Sequence, residues 1–269
     1  MKTADYRLIA ADIDGTIVDY SFNLTKRTIA AVKAAVEKGK YFVLSTGRPV
    51  QGIKKLVESL SLENMPYILY NGAMVVMNGE PIYSLTIDPE DAVMLVDEGH
   101  RRNSTMVCWA QNRLYSETLN DKIDFYKSIS GVEPIVVDSL AELAERGITK
   151  FVWYDGEQKT LKNYAALKEK FGGRLGVAPS RAEFLEFFNA SCSKSTALST
   201  VCKMLGVKRE ETVAVGDGFN DVDMLEYAAL GVAMGNAPNA VKERCGFVAD
   251  SCENDGLAKF IEEFVLKNR

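Results

Sequence analysis

The sequence predicts an α/β protein: an open, mainly parallel sheet with flanking helices, interrupted once by an inserted α+β unit. Three observations carry that reading. Apolar runs and amphipathic segments alternate from residue 6 to residue 71, which implies parallel pairing through right-handed crossovers. The alternation gives way to hairpin signals and short strands over residues 86–188, and it resumes at Lys194.

Taken in order, YRLIAA (6–11) is an unbroken apolar run of the kind a strand buried on both faces requires. Thr25 is placed to cap a helix reaching about Gly39, with Ile29, Val32 and Val36 at helical spacing. YFVLST (41–46) is a second buried strand, Pro49 suits the start of a helix ending near Leu60, and YILYN (67–71) is a third strand. Asn78-Gly79, between AMVVM and EPIYSL, is the strongest hairpin signal and marks the exit from the first sheet.

Beyond it come a helix over 89–102, two strands about Gln111-Asn112, helical segments near 120–129 and 139–146, and strands at 148–154 and 183–188. That mixture suits a largely antiparallel sheet. A helix from Lys194, the strand TVAVGD (212–217), a helix from Asn220, the short strand GVAM (231–234) and a helix from about Asp255 then complete the first unit. The expected domains are a discontinuous core, 1–85 with 189–269, and an insertion, 86–188.

Composition narrows the function classes. With 47% hydrophobic and 26% charged residues the chain reads as globular, and a net charge of -5 without a Lys/Arg cluster argues against a nucleic-acid partner. Charges at Asp5, Arg7 and Asp12 interrupt the first residues where a signal peptide needs an apolar stretch, and no run reaches transmembrane length, so a cytoplasmic protein without a membrane partner is expected. Five scattered cysteines with no C-x-x-C pair fit reduced thiols. His100, the only histidine, lies in the insertion, and no G-x-S-x-G is present, so serine- or cysteine-triad chemistry has no support. Gly47-x4-Gly52 lacks the Lys-Ser/Thr of a P-loop. Phe151, Trp153, Phe184, Phe187 and Phe188 on insertion strands are read first as packing residues.

In an open parallel sheet ligands bind beyond the carboxyl ends of strands, and that is where the polar residues collect. Asp12-x-Asp14-Gly-Thr16 follows the first strand, Ser45-Thr46-Gly47-Arg48 the second, Lys194 opens a helix, and Gly216-Asp217-Gly218-Phe219-Asn220-Asp221 follows a later strand. Asp and Gly after a strand are ordinary turn residues, and a lysine at a helix start is usually solvated. All four segments in order, each at a strand end or helix start, are harder to dismiss. Carboxylates gathered so closely repel unless a cation offsets them, and hard oxygens with no paired His or Cys point to Mg²⁺. Lys194, Thr46 and turn N–H groups suit the oxygens of a phosphoryl group.

As a set these segments resemble the haloacid dehalogenase-like (HAD) hydrolase superfamily, in particular its Cof-type (class IIB) phosphatases. The likeness spans nearly the whole chain; NGA (71–73) is similar to the Asn-Gly segment before the Cof-type insertion. One departure is the approach to Lys194, NASCSKST, where many relatives are Gly-rich. The resemblance implies a Rossmann-like core with an inserted C2-type cap. It implies Asp12 as nucleophile, Asp14 as general acid/base, and Thr46, Gly47, Lys194 and Asn220 on the phosphoryl group. Mg²⁺ would be held by Asp12, Asp217 and the backbone carbonyl of Asp14, with Asp221, acting through water, and Arg48 in support.

The expected function is therefore Mg²⁺-dependent hydrolysis of a small phosphorylated metabolite, such as a sugar phosphate, through an aspartyl-phosphate. Two rivals remain at this level: a sugar phosphomutase sharing the chemistry, and a non-catalytic phosphate-binding module. Dehalogenation is disfavoured, because a halide needs no proton donor such as Asp14. The insertion is expected to set substrate choice, while oligomeric state is unreadable.

Overall fold

Both faces of the first strand are covered, as its apolar run requires. The computed structural model describes residues 5–267, and all four positions of β1 (Leu8–Ala11) are buried. Thr25 caps α1 (Lys26–Glu37) by accepting from the Thr28 amide, and β2 (Tyr41–Ser45) returns parallel to β1. Pro49 precedes a 3-10 turn over Val50–Ile53 that leads into α2 (Lys54–Leu60), so the expected helix ending near Leu60 is present and opens with a tighter turn. After β3 (Tyr67–Leu69), strands β4 (Met74–Met77) and β5 (Glu80–Ser84) are joined by Asn78 and Gly79. Both linking residues have positive φ, 53° and 81°, the backbone that a two-residue hairpin turn demands.

The inserted segment runs α3 (Pro89–Arg101), β6 (Thr105–Ala110), β7 (Arg113–Ser116), α4 (Asp121–Ser130), β8 (Ile135–Val136), β9 (Ile148–Tyr154), α5 (Glu157–Phe171), β10 (Leu175–Arg181) and β11 (Phe184–Asn189). Its six strands lie in the order β10-β11-β9-β6-β7-β8, antiparallel except for the β7–β8 pair. Phe151, Trp153 and Phe187 join Leu95 and Val96 of α3 and Leu167 and Phe171 of α5 in one apolar cluster. At its two ends Asn189 donates through Nδ2 to the Thr86 carbonyl, 2.8 Å away.

The helical segment expected near 139–146 is present as a 3-10 helix over residues 140–146. Two features of this segment depart from the expected pattern. Helix α5 was not foreseen because its sequence is mostly polar and it buries few apolar side chains, Leu167 and Phe171 among them. Strand β10 was hidden by Gly176 and Pro179; it is an edge strand, bulged between Pro179 and Arg181, the setting in which a strand tolerates proline.

The chain then adds α6 (Lys194–Leu205), β12 (Thr212–Gly216), α7 (Val222–Tyr227), β13 (Leu230–Ala233), α8 (Asn239–Lys242), β14 (Phe247–Val248) and α9 (Gly256–Phe260). The larger sheet has the order β14-β13-β12-β1-β2-β3-β4-β5, parallel from β14 to β3 and antiparallel at β4. Ala197, Leu198 and Val201 of α6 pack with Leu8, Ala10, Val43 and Ala214 of this sheet. Two compact units result: the described residues up to Arg48, Ile53–Tyr83 and those from Ser193 onward form one, and Pro49–Gly52 with Ser84–Cys192 form the other. In the first unit Ala11 is in register with Leu44 on one side and Val215 on the other. The segments that follow β1, β2 and β12 therefore leave the sheet at one level.

Candidate active site

That common level brings the charged residues of the first unit together. Asp12 extends the ladder by one residue, its amide donating to the Val215 carbonyl at 2.9 Å, and its carboxylate is buried beyond the strand end. Lys194, the first residue of α6, reaches the same point. Its Nζ donates to Asp12 Oδ1 at 2.7 Å, Asp221 Oδ1 at 2.5 Å and the Ser45 carbonyl at 2.9 Å. All three ammonium protons thus have acceptors, which is what allows a fully buried lysine to stay charged. Gly72 makes room for this helix start: its φ is +98°, and a Cβ there would lie 2.2 Å from the Ser193 carbonyl oxygen.

Asp217 and Asp221 come from the loop after β12. Asp221 ties that loop shut, its Oδ2 accepting from the amides of Asp217 at 3.1 Å and Gly218 at 2.9 Å. One oxygen from each of Asp12, Asp217 and Asp221 lies within 4.8 Å of the others. Burial pushes the Asp12 carboxyl up to about 7; Lys194 pulls it back, while the charges of Asp221 and Asp217 add to the rise. Asp217 is raised too, by burial first, with the Tyr20 hydrogen bond opposing and the Asp221 charge adding. For Lys194 burial works against the charged form, but Asp12 and Asp221 outweigh it and its pKa is raised. Three carboxylates against one ammonium leave uncompensated negative charge on hard oxygen donors, so these residues fit a divalent cation.

Asp14 stands apart from the triad. Its half-exposed carboxylate takes both oxygens to Arg48, whose Nε donates at 2.9 Å, and the Arg48 guanidinium lies 5.3 Å over the Phe22 ring. Thr46 is buried at the end of β2, and its Oγ1 accepts from the Arg48 amide at 3.2 Å. A Cβ on Gly47 would sit 3.1 Å from the Asn71 side-chain amide, and Asn220 donates through Nδ2 to Asn71 Oδ1 at 3.2 Å. The structure thus gathers Asp12, Lys194, Asp217 and Asp221 in one cluster. It pairs Asp14 with Arg48, and it links Gly47 to Asn220 through Asn71.

Two contributors escaped the sequence reading. Asp217 Oδ2 accepts from the hydroxyl of Tyr20 and from Asn236 Nδ2 at 3.2 Å, and the Asn236 amide group also donates to the Gly15 carbonyl at 2.8 Å. The Cys252 amide fixes Asn236 in turn by donating to its Oδ1 at 3.0 Å. Burial and the hydrogen bond to Asp217 push Tyr20 up to about 12, so it remains a neutral donor. Asn236 did carry a signal, since MGNAPN follows β13 at another strand end. Tyr20 carried none. His100 lies in the second unit, where its Nε2 is 2.6 Å from Glu117 Oε2.

Residues 9–261 match the family described as haloacid dehalogenase-like hydrolase. Among curated proteins, one from Haemophilus influenzae named "Putative phosphatase" is 31% identical, over 96% of this chain and 98% of the relative. A 5-amino-6-(5-phospho-D-ribitylamino)uracil phosphatase of Bacillus subtilis is 28% identical over 98% of each chain. Among solved structures, a HAD subclass IIB sugar phosphatase superposes with a TM-score of 0.81 at 25% identity, covering 97% of this chain and 99% of its own.

Proposed function

The chain belongs to the haloacid dehalogenase-like hydrolases and is a phosphatase of the Cof type; from that premise we propose that it uses Mg²⁺ to hydrolyse the phosphate monoester of a small polyhydroxylated metabolite, of the sugar phosphate class. One observation carries the reading: the buried cluster in which Lys194 serves Asp12 and Asp221 while Asp217 adds a third carboxylate. A divalent cation entering the cluster would offset that excess charge and let a phosphoryl dianion approach Asp12. A bound Mg²⁺, held by Asp12, Asp217 and the Asp14 carbonyl with Asp221 behind them, would supply Lewis-acid stabilisation of charge on the phosphoryl oxygens.

The remaining chemistry belongs to the chain. A carboxylate oxygen of Asp12 forms a bond to phosphorus as the ester P–O bond breaks, and Asp14 gives its proton to the departing alkoxide. Asp14 then takes a proton from water, whose oxygen attacks phosphorus and releases inorganic phosphate and Asp12. Lys194, Thr46, the Gly47 amide and Asn220 neutralise and orient the phosphoryl oxygens. Arg48 orients Asp14, and a dianionic substrate competing for the guanidinium would free that carboxyl to take up a proton. The inserted unit is the source of substrate choice in this reading, since none of these residues belongs to it.

Sugar phosphatase and 5-amino-6-(5-phospho-D-ribitylamino)uracil phosphatase are the activities named for two of the similar proteins, which supports a small phosphorylated metabolite as the substrate class. Among the described residues no helix is long and apolar enough to cross a membrane, and the five cysteines are free, in keeping with a cytoplasmic enzyme. Turnover of phosphorylated sugars, polyols and nucleotides, measured as free phosphate with Mg²⁺ and again with EDTA, tests the proposal. An isomerised product without free phosphate would make the protein a mutase. A zero rate across the panel would make it a binding module.

A further inference from the structure

The hydrogen bonds around Asp217 are unevenly distributed. Its Oδ2 accepts from Tyr20 and Asn236, whereas its Oδ1 accepts none among the described residues. The loop backbone closes the same side: a Cβ on Gly15 would lie 2.3 Å from Oδ2 and 2.8 Å from the Tyr20 hydroxyl. Asn236 is itself anchored at both ends of its amide, to the Gly15 carbonyl and the Cys252 amide, so it cannot turn away without breaking two further bonds. One oxygen of this carboxylate is thereby enclosed by two donors and a glycine backbone, and one is left.

A carboxylate with one oxygen committed can give a cation only one ligand atom. Mg²⁺ keeps six ligands near octahedral geometry and takes single oxygens from one or two carboxylates, whereas Ca²⁺ accepts six to eight and readily takes both oxygens of a carboxylate. Outer hydrogen-bond partners of this kind fix a ligand's orientation and typically govern metal affinity 10–100-fold. Resting on the metal-dependent reading above, we infer that Tyr20 and Asn236 are positioning residues that hold Asp217 to one-oxygen coordination and so bias the site toward Mg²⁺ over Ca²⁺. Both act through Asp217, and neither is a catalytic residue.

The full-length protein is titrated with MgCl₂ and separately with CaCl₂ by calorimetry, so that the readout is binding and not turnover. Tyr20→Phe removes only the donor; Tyr20 is 62% exposed, so the ring change leaves the fold intact. The preference for Mg²⁺ over Ca²⁺, taken as the ratio of dissociation constants, is expected to fall about tenfold in Tyr20→Phe. Asn236→Asp, which replaces the donor while preserving shape, is expected to shift the ratio in the same direction. Should Tyr20→Phe and the parent bind both cations with ratios within twofold of each other, the inference is overturned and the phosphatase reading stands. A parent chain that binds neither cation overturns the metal-dependent reading and this inference with it.

Discussion

The two units treat buried charge in opposite ways. In the inserted unit every strongly buried ionic group has its counterpart. Glu98 meets Arg101, Arg102 and Lys170; Asp155 accepts from Ser104, Lys159 and Asn163; Lys150 lies 3.1 Å from both oxygens of Glu186. Burial would raise the Glu98 carboxyl, but Lys170 and Arg102 overcome it and hold its pKa below the usual range. In the first unit the same opposition ends the other way, with burial winning and Asp12 raised. Balanced charge builds structure, while charge left unbalanced beside strand ends is an opening for a ligand.

The hardest test of that contrast is removal of the reacting groups. Asp12→Asn should abolish turnover of both sugar and aryl phosphates in steady-state assays, and detectable turnover would break the reading. Asp14→Asn should slow sugar-phosphate hydrolysis by about 10² to 10⁴. With p-nitrophenyl phosphate, whose leaving group needs no proton, the same variant should instead release a burst of nitrophenol followed by slow hydrolysis. Asp12→Asn should show no burst.

Metal removal comes next. Mg²⁺ at 100 times its dissociation constant should stabilise the fold by about 2.7 kcal/mol, seen as a higher thermal midpoint that EDTA reverses. An unchanged midpoint with saturating Mg²⁺ would leave the triad's excess charge unexplained.

Single carboxylate removals then sharpen the contrast by their signs. Glu98→Gln should cost about 2 kcal/mol in urea unfolding at neutral pH, because charge-assisted bonds to Glu98 are lost. With a lowered folded pKa, the stability that Glu98 adds is complete above its unfolded pKa and disappears as pH falls through the folded value. The gap between variant and parent should therefore close in acid. Asp217→Asn should act in the reverse direction and by less, raising the urea midpoint of the metal-free protein because a repelled charge is gone. Matching signs for the two variants would end the distinction between the units.

Much of this architecture was legible because the signals were local. The unbroken apolar run of β1, the Thr25 cap and the positive-φ pairs Asn78-Gly79 and Gln111-Asn112 each act within a few residues. So do the acidic segments after β1 and β12, which supply Asp12, Asp217 and Asp221. Contacts made by the fold alone were not legible. Tyr20 meets Asp217 across 197 residues, and no periodicity marks it. Strand β10 and helix α5 were obscured by composition, the first by Pro179 at a bulged edge and the second by a polar sequence. The Arg48 grip on Asp14 joins two segments that the sequence presents as separate motifs.

The close approach of Gly72 to Ser193 bears on the order in which the chain folds. Bringing these points together closes a loop of roughly 120 residues, which for a flexible chain costs on the order of 4 kcal/mol in entropy. The hydrogen bond from Asn189 to Thr86 changes that sum, because it joins the two ends of the inserted unit to each other. An insertion that folds first delivers the two halves of the core already side by side, and the long loop shrinks to two short tethers. The larger sheet, whose β1–β12 pairing spans most of the chain, then assembles as though its sequence were continuous.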